Sequence, residues 1–272
     1  MPKQTLHHWQ RISLSALVFL AATSCCNNGG AEKSSLLEQA VPLFENGIHH
    51  ELPPLKPETR RIFESIAQGN IASALKLSST AINTAPDDNE VVYARAVVLY
   101  LTASFGTARP LFEKVISNGP SFAGCDRIFY FYGMCLLRLG KAELAREALL
   151  AQLKLQPDGA ETRIALGELT LQEGDPDGAL AQFRLALQSL PVIEKSATIH
   201  GVARAKAQAG IGKALLQLDQ VEEALNATQI SIQLDPSQAQ PYYALSRIYM
   251  RQGKQAQAKQ AFDNFRRLSA QQ

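Results

Sequence analysis

Two cysteines, one histidine and a glycine-lysine run are the residues whose types point to covalent or phosphate chemistry in the body of this 272-residue chain. A thiolate nucleophile needs a base within hydrogen-bond reach. Cys125, Cys135 and His200 stand on separate predicted segments with nothing to bring them together. The two cysteines are ten positions apart, which on one helix is about 15 Å and too far for a disulfide. Gly210-Ile211-Gly212-Lys213 lacks the spacing of a phosphate loop and lies in a helix-forming context. Adjacent His49 and His50 point in different directions on any regular element and read as surface residues. Five histidines and four cysteines without paired ligand spacing disfavour a zinc site. Asp175, Asp177, Glu222 and Glu223 fall at turns and first helical turns, where capping accounts for acids. Neither catalysis, metal nor cofactor is expected, and recognition is what remains.

Composition narrows the partners. With 46% hydrophobic and 19% charged residues the chain has enough apolar material for a substantial interior. A formal charge of +2 is too small for a nucleic-acid binder.

The N-terminus is set apart from the body. Lys3 and Arg11 precede an apolar run, Ile12 to Ala22, then small residues and Cys25. This is the three-part form of a secretory signal over residues 1–24, and its apolar run is too short to cross a bilayer. The stretch Ala22-Thr23-Ser24-Cys25 resembles a bacterial lipobox, which implies lipid (palmitate) on Cys25, an outer-membrane lipoprotein facing the periplasm, and membrane contact through that lipid alone. Cleavage there removes two bases and no acid, leaving a balanced chain. Cleavage without lipidation, giving a periplasmic or secreted protein, and an uncleaved anchor are the alternatives. Cys26 to Lys33 reads as a polar tether. Leu36, Leu37, Ala40, Val41 and Phe44 share one helical face, so residues 25–54 are expected to hold a tether and a small helix capping the first repeat.

From Leu55 onward the chain has a period. Pro86, Pro120, Pro157, Pro191 and Pro236 are separated by 34, 37, 34 and 45 residues. Within each interval a small residue falls in a first helix, a turn follows, and alanines and an aromatic or aliphatic residue line a second helix. The clearest copy is residues 160–193, with Leu166-Gly167, Gly174, Ala179, Phe183, Ala186 and Pro191. Pro110 suggests that its helix starts late. The 45-residue interval predicts a first helix lengthened by about three turns around 194–218, with a break near Gly210 as the alternative.

The order Leu-Gly, Gly, Ala, Phe, Ala, Pro resembles the tetratricopeptide repeat. The resemblance implies an all-α, right-handed solenoid of helical hairpins with repeats at about 55–88, 89–122, 126–159, 160–193, 205–238 and 239–272. It implies that first helices line a concave groove for peptides or protein segments. Carried over by position, the groove residues are Tyr93, Val97, Tyr100, Arg127, Tyr130, Met134, Arg138, Glu168, Lys213, Tyr243, Arg247 and Arg251, with Glu161, Ile164 and Lys206 beside them. Val97 and Met134 stand where some chaperone-binding members carry a polar carboxylate clamp, which argues against that activity. The expected function is a non-enzymatic interaction scaffold for envelope proteins, assisting assembly or secretion. A glycan-binding module and an accessory subunit of an envelope enzyme are the alternatives.

Overall fold

A computed structural model describes residues 31–47, 52–119, 121–122, 124–190 and 199–271. The signal segment, Cys25 with its expected lipid, the start of the tether and the His49-His50 pair lie outside the described residues. The helices are α1 (Ala31–Gly47), α2 (Pro57–Ala67), α3 (Ile71–Thr84), α4 (Asn89–Leu101), α5 (Phe105–Asn118), α6 (Ile128–Arg138), α7 (Ala142–Leu155), α8 (Ala160–Gln172), α9 (Pro176–Ser189), α10 (Ile199–Gln217), α11 (Val221–Leu234), α12 (Ala239–Arg251) and α13 (Gln255–Ser269). From α2 onward they pair into six hairpins, and each hairpin stacks on the next.

One device makes all six hairpins alike. A residue with positive φ ends the first helix of each: Gly69, Ala103, Gly140, Gly174, Asp219 and Gly253. The next backbone N–H then reaches back five residues, from Asn70 to Ser65, Ser104 to Leu99, Lys141 to Leu136, Asp175 to Thr170, Gln220 to Leu215 and Lys254 to Tyr249, at 2.8–3.1 Å. This left-handed closure satisfies carbonyls that a helix end leaves orphaned, and it sets the same reversal each time. Glycine adopts it without cost, whereas Ala103 and Asp219 carry a strained backbone.

Small residues then let the hairpins close. A Cβ on Gly167 would lie 2.7 Å from the Phe183 ring, and one on Gly210 of the next hairpin would collide with the same ring. Phe183 is thus held between glycines of two successive first helices and is fully buried. A Cβ on Gly212 would likewise meet the Thr228 hydroxyl.

Three expectations are corrected. First, α1 forms but does not cap the first repeat: it packs on α5 and α7. Leu37, Ala40, Val41 and Phe44 are buried there, with the Phe44 ring 5.1 Å from that of Phe129. The first hairpin presents exposed Arg60, Arg61 and Glu64, no seat for an apolar stripe. Second, the alternative of a break near Gly210 does not hold: α10, described from Ile199 to Gln217, runs unbroken through Gly210 and Gly212. Residues 191–198 of the long interval lie outside the described residues. Third, α5 does not start late; it begins at Phe105 and runs through Pro110.

Candidate binding groove

The even-numbered helices form the first row of the solenoid, with α2 on α4, α4 on α6, α8 on α10 and α10 on α12 in direct contact. On this row, between α2, α4 and α6, lies an apolar cavity of about 300 Å³. Leu55, Phe63 and Ile66 line one side, Tyr93, Val97 and Leu101 the middle, and Gly124, Arg127 and Phe131 the other. Tyr93 and Val97 are each only 3% exposed, so they form its floor; Leu101, at 41%, stands at its rim.

Aromatic rings carry the surface onward. Phe63 lies 6.1 Å from Tyr93, and Phe131 lies 6.4 Å from Tyr93, 6.0 Å from Tyr100 and 5.4 Å from Tyr130. Such tilted and edge-on pairs stabilise by more than their buried area. The Arg127 guanidinium sits 5.1 Å from the Tyr130 ring centre and 5.4 Å from that of Phe131, and it also pairs with Glu161 of the next hairpin. Stacking and pairing together fix a long cation at the cavity rim.

Gln152 of α7 explains why this segment is so placed. Its side-chain carbonyl accepts from the Tyr130 N–H at 3.0 Å, and its amide donates to the Asp126 carbonyl at 2.7 Å. The two contacts bracket Arg127. Burial pushes the Tyr130 phenol up to about 12 and raises Tyr93 and Tyr100 as well, so all three are neutral hydrogen-bonding groups at physiological pH.

The other proposed groove residues are placed as follows. Tyr100 and Met134 are half-buried on the row, Arg138 is exposed beside Tyr100, and Glu168 is exposed on α8. Ile164 is buried. Lys206 is exposed and Lys213 half-buried on α10, and Arg247 is exposed on α12. Arg251 donates to the Leu216 carbonyl at 2.9 Å and pairs with Asp219, tying α12 to α10. Tyr243 packs 5.3 Å from Phe265 of α13. The structure therefore gathers Tyr93, Val97 and Arg127 around one cavity, joins Tyr100 and Tyr130 to it only through the Phe131 ring, and leaves the α10 and α12 residues on a separate, polar stretch. Phe63, Leu101, Phe131 and Gln152 were not singled out from the sequence. Gln152 carried the available signal, being a long polar side chain where the second helices otherwise bury Val115, Ala186 or the small Ser231.

Among the described residues no group of three His, Cys, Asp or Glu side chains is placed to hold a metal ion. Cys125 and Cys135 are buried free thiols, and burial pushes Cys135 up to about 11. The His200 side chain lies outside the described residues. No helix among those described is long and apolar enough to cross a membrane.

The fold and its site thus define an all-α helical-hairpin solenoid with an apolar, aromatic-lined inner surface. Comparison with known proteins agrees. Models of the tetratricopeptide repeat match residues 104–160, 133–192 and 239–264, and the helical hairpins form a solenoid of the tetratricopeptide type. It is 30% identical over 113 residues to a protein CTR9 homolog of Arabidopsis thaliana, a match covering 42% of this chain and 10% of that one. The chain therefore spans only a small part of that relative's length. Among solved structures, the APC/C hetero-tetramer Cut9-Hcn1 superposes with a TM-score of 0.68 at 18% identity, covering 88% of this chain and 46% of that one. The pilF protein of Pseudomonas aeruginosa superposes with a TM-score of 0.58 at 16% identity, over 87% and 93%. These likenesses concern the fold.

Proposed function

We propose that this protein is a scaffold of the bacterial cell envelope, held by lipid on Cys25, that seats a segment of an envelope protein in the groove formed by α2, α4 and α6 and so assists assembly or secretion. The observation that carries the binding role is the apolar cavity at Tyr93, Val97 and Phe131, open at Leu101 and edged by a fixed Arg127. A pocket of this kind anchors a large apolar side chain, while the arginine supplies direction. The envelope placement rests on the signal-like start and the lipobox resemblance.

The test is quantitative co-purification from crosslinked native envelopes, comparing the intact chain with Leu101→Glu. Leu101 is partly exposed, so the substitution leaves folding intact while placing a charge at the cavity mouth. A small protein set lost with Leu101→Glu is the expected result. Partners retained in full would move the binding site away from this groove. Replacement of Cys25 by Ser is expected to shift the protein from the membrane to the soluble fraction, and unchanged fractionation would refute the lipid anchor.

A further inference from the structure

The groove residues follow one line. Phe63 and Val97, 34 positions apart, occupy the same place in the first two hairpins, and both line the cavity. The same place in the next four is taken by Met134, Glu168, Lys213 and Arg247. Repeat geometry aims these four at the same inner surface. Read along the solenoid, the line is apolar in three hairpins, acidic in one and basic in two.

The surrounding helices sharpen this contrast. Helices α10 and α12 contain Arg204, Lys206, Lys213, Arg247 and Arg251 and no acid, whereas α11, in the opposite row, carries Glu222 and Glu223 and no base. The inner row of the last two hairpins thus carries bases without acids, while α13 in the opposite row carries Lys259, Arg266 and Arg267 beside Asp263. Some are engaged: Arg251 pairs with Asp219, and the charge of Lys206 acts on Asp235. Lys213 and Arg247 make no ion pair among the described residues. Cations held in a row without internal partners are complementary to an anionic ligand.

We propose that the occupant of the groove is an extended protein segment of two parts: a large apolar side chain for the cavity at α2, α4 and α6, and an acidic cluster for Lys213 and Arg247. This rests on the groove reading above and gives its partner a chemistry. Three helix-to-helix steps of about 10 Å separate α4 from α10, roughly 30 Å in all. Extended backbone covers that distance in about nine residues. Glu168 stands between and repels acids placed too near the anchor, so the spacing is read as well as the composition.

The probe is a fluorescent synthetic peptide with a Leu-Phe anchor, a Ser/Gly spacer of about nine residues and a block of glutamates, measured by anisotropy against the purified full chain. Its glutamine counterpart is expected to bind about five- to ten-fold more weakly. Lys213→Glu combined with Arg247→Glu should abolish that preference and favour a probe with a lysine block. Equal affinity of the glutamate and glutamine probes for the unaltered protein would overturn the inference. Leu101→Glu separates the two ideas. If it weakens both equal-affinity probes, the groove reading survives and the acidic partner does not; if it leaves every probe unchanged, the groove reading fails. Absence of binding by any probe would count against both. A single-stranded oligonucleotide that binds more tightly than the glutamate probe would overturn the proposal in favour of nucleic acid.

Discussion

Replacing Gly210 by alanine sets two effects of known size against each other. Gly210 lies inside α10, where alanine favours the helix by about 1 kcal/mol. Its Cβ, however, would collide with the Phe183 ring, which is fully buried and already pressed against Gly167. The ring has no free side to turn to, and overpacking of a core costs about 1–3 kcal/mol. The net expectation is a loss of up to about 2 kcal/mol despite the better helix former. Phe183→Leu alone should also destabilise, by leaving a gap. Combined, the two changes should cost less than their sum, because the smaller side chain makes room for the new methyl. Urea unfolding gives the totals, and hydrogen exchange in α9 and α10 locates them, which matters because stacked repeats need not unfold together. A more stable Gly210→Ala protein, or strict additivity in the double variant, would refute the claim that this glycine exists for close approach.

Phe44→Ala should cost about 3 kcal/mol locally and speed hydrogen exchange in α5 to α7 while sparing α2 and α3; the reverse pattern would place α1 on the first hairpin after all. Ala103→Gly should raise the urea midpoint, because relief of a left-handed alanine, about 1–2 kcal/mol, exceeds the entropy glycine adds to the unfolded chain, about 0.4–1 kcal/mol. Peptide mapping after iodoacetamide treatment at pH 8 should find Cys125 and Cys135 unmodified in the native protein and modified in urea, since burial raises both thiols and shields them. Burial alone would raise the Asp88 carboxyl, but hydrogen bonds from Lys56 and from the Glu90 and Val91 backbone outweigh it and hold the group below its ordinary value. A depressed carboxylate stabilises above that ordinary value, near 4, and the contribution fades as pH falls through the folded one. Exchange at the start of α4 should therefore accelerate below about pH 4 in the native protein and no longer depend on acid in Asp88→Asn.

The hairpin period was legible because its punctuation is chemical. Glycine at four of six reversals and proline at the interval ends stand out in any sequence, whereas Ala103 and Asp219 carry no such mark and emerge as reversals only in the structure. Exposure of the inner residues was less legible. Tyr93 and Tyr130 occupy the same repeat position and differ in burial, because Phe63, Phe112, Phe122 and Phe131 crowd the first while Phe131 alone among the described rings packs on the second. That difference arises between hairpins, where a one-repeat pattern has no information. The docking of α1 was hidden for the same reason. Its apolar stripe announces a helix that must be covered, but the seam that covers it forms only when α5 and α7 stack.

The same distinction separates what each level says about binding. A repeat position names which side chains point inward, and that much assigns Val97, Met134, Lys213 and Arg247 to one line. Only the assembled row shows that Val97 lines a cavity while Met134 packs elsewhere, and that Arg127, at the cavity's edge, is already partnered by Glu161. A ligand carboxylate must compete with Glu161 for this arginine, and recruiting it costs the existing half-exposed pair, up to about 1 kcal/mol. The unpaired cations two and three hairpins further along carry no such cost. The physical case for an acidic ligand therefore rests on Lys213 and Arg247, and the case for an apolar anchor rests on the cavity beside Arg127; a segment that satisfies both must span the distance between them.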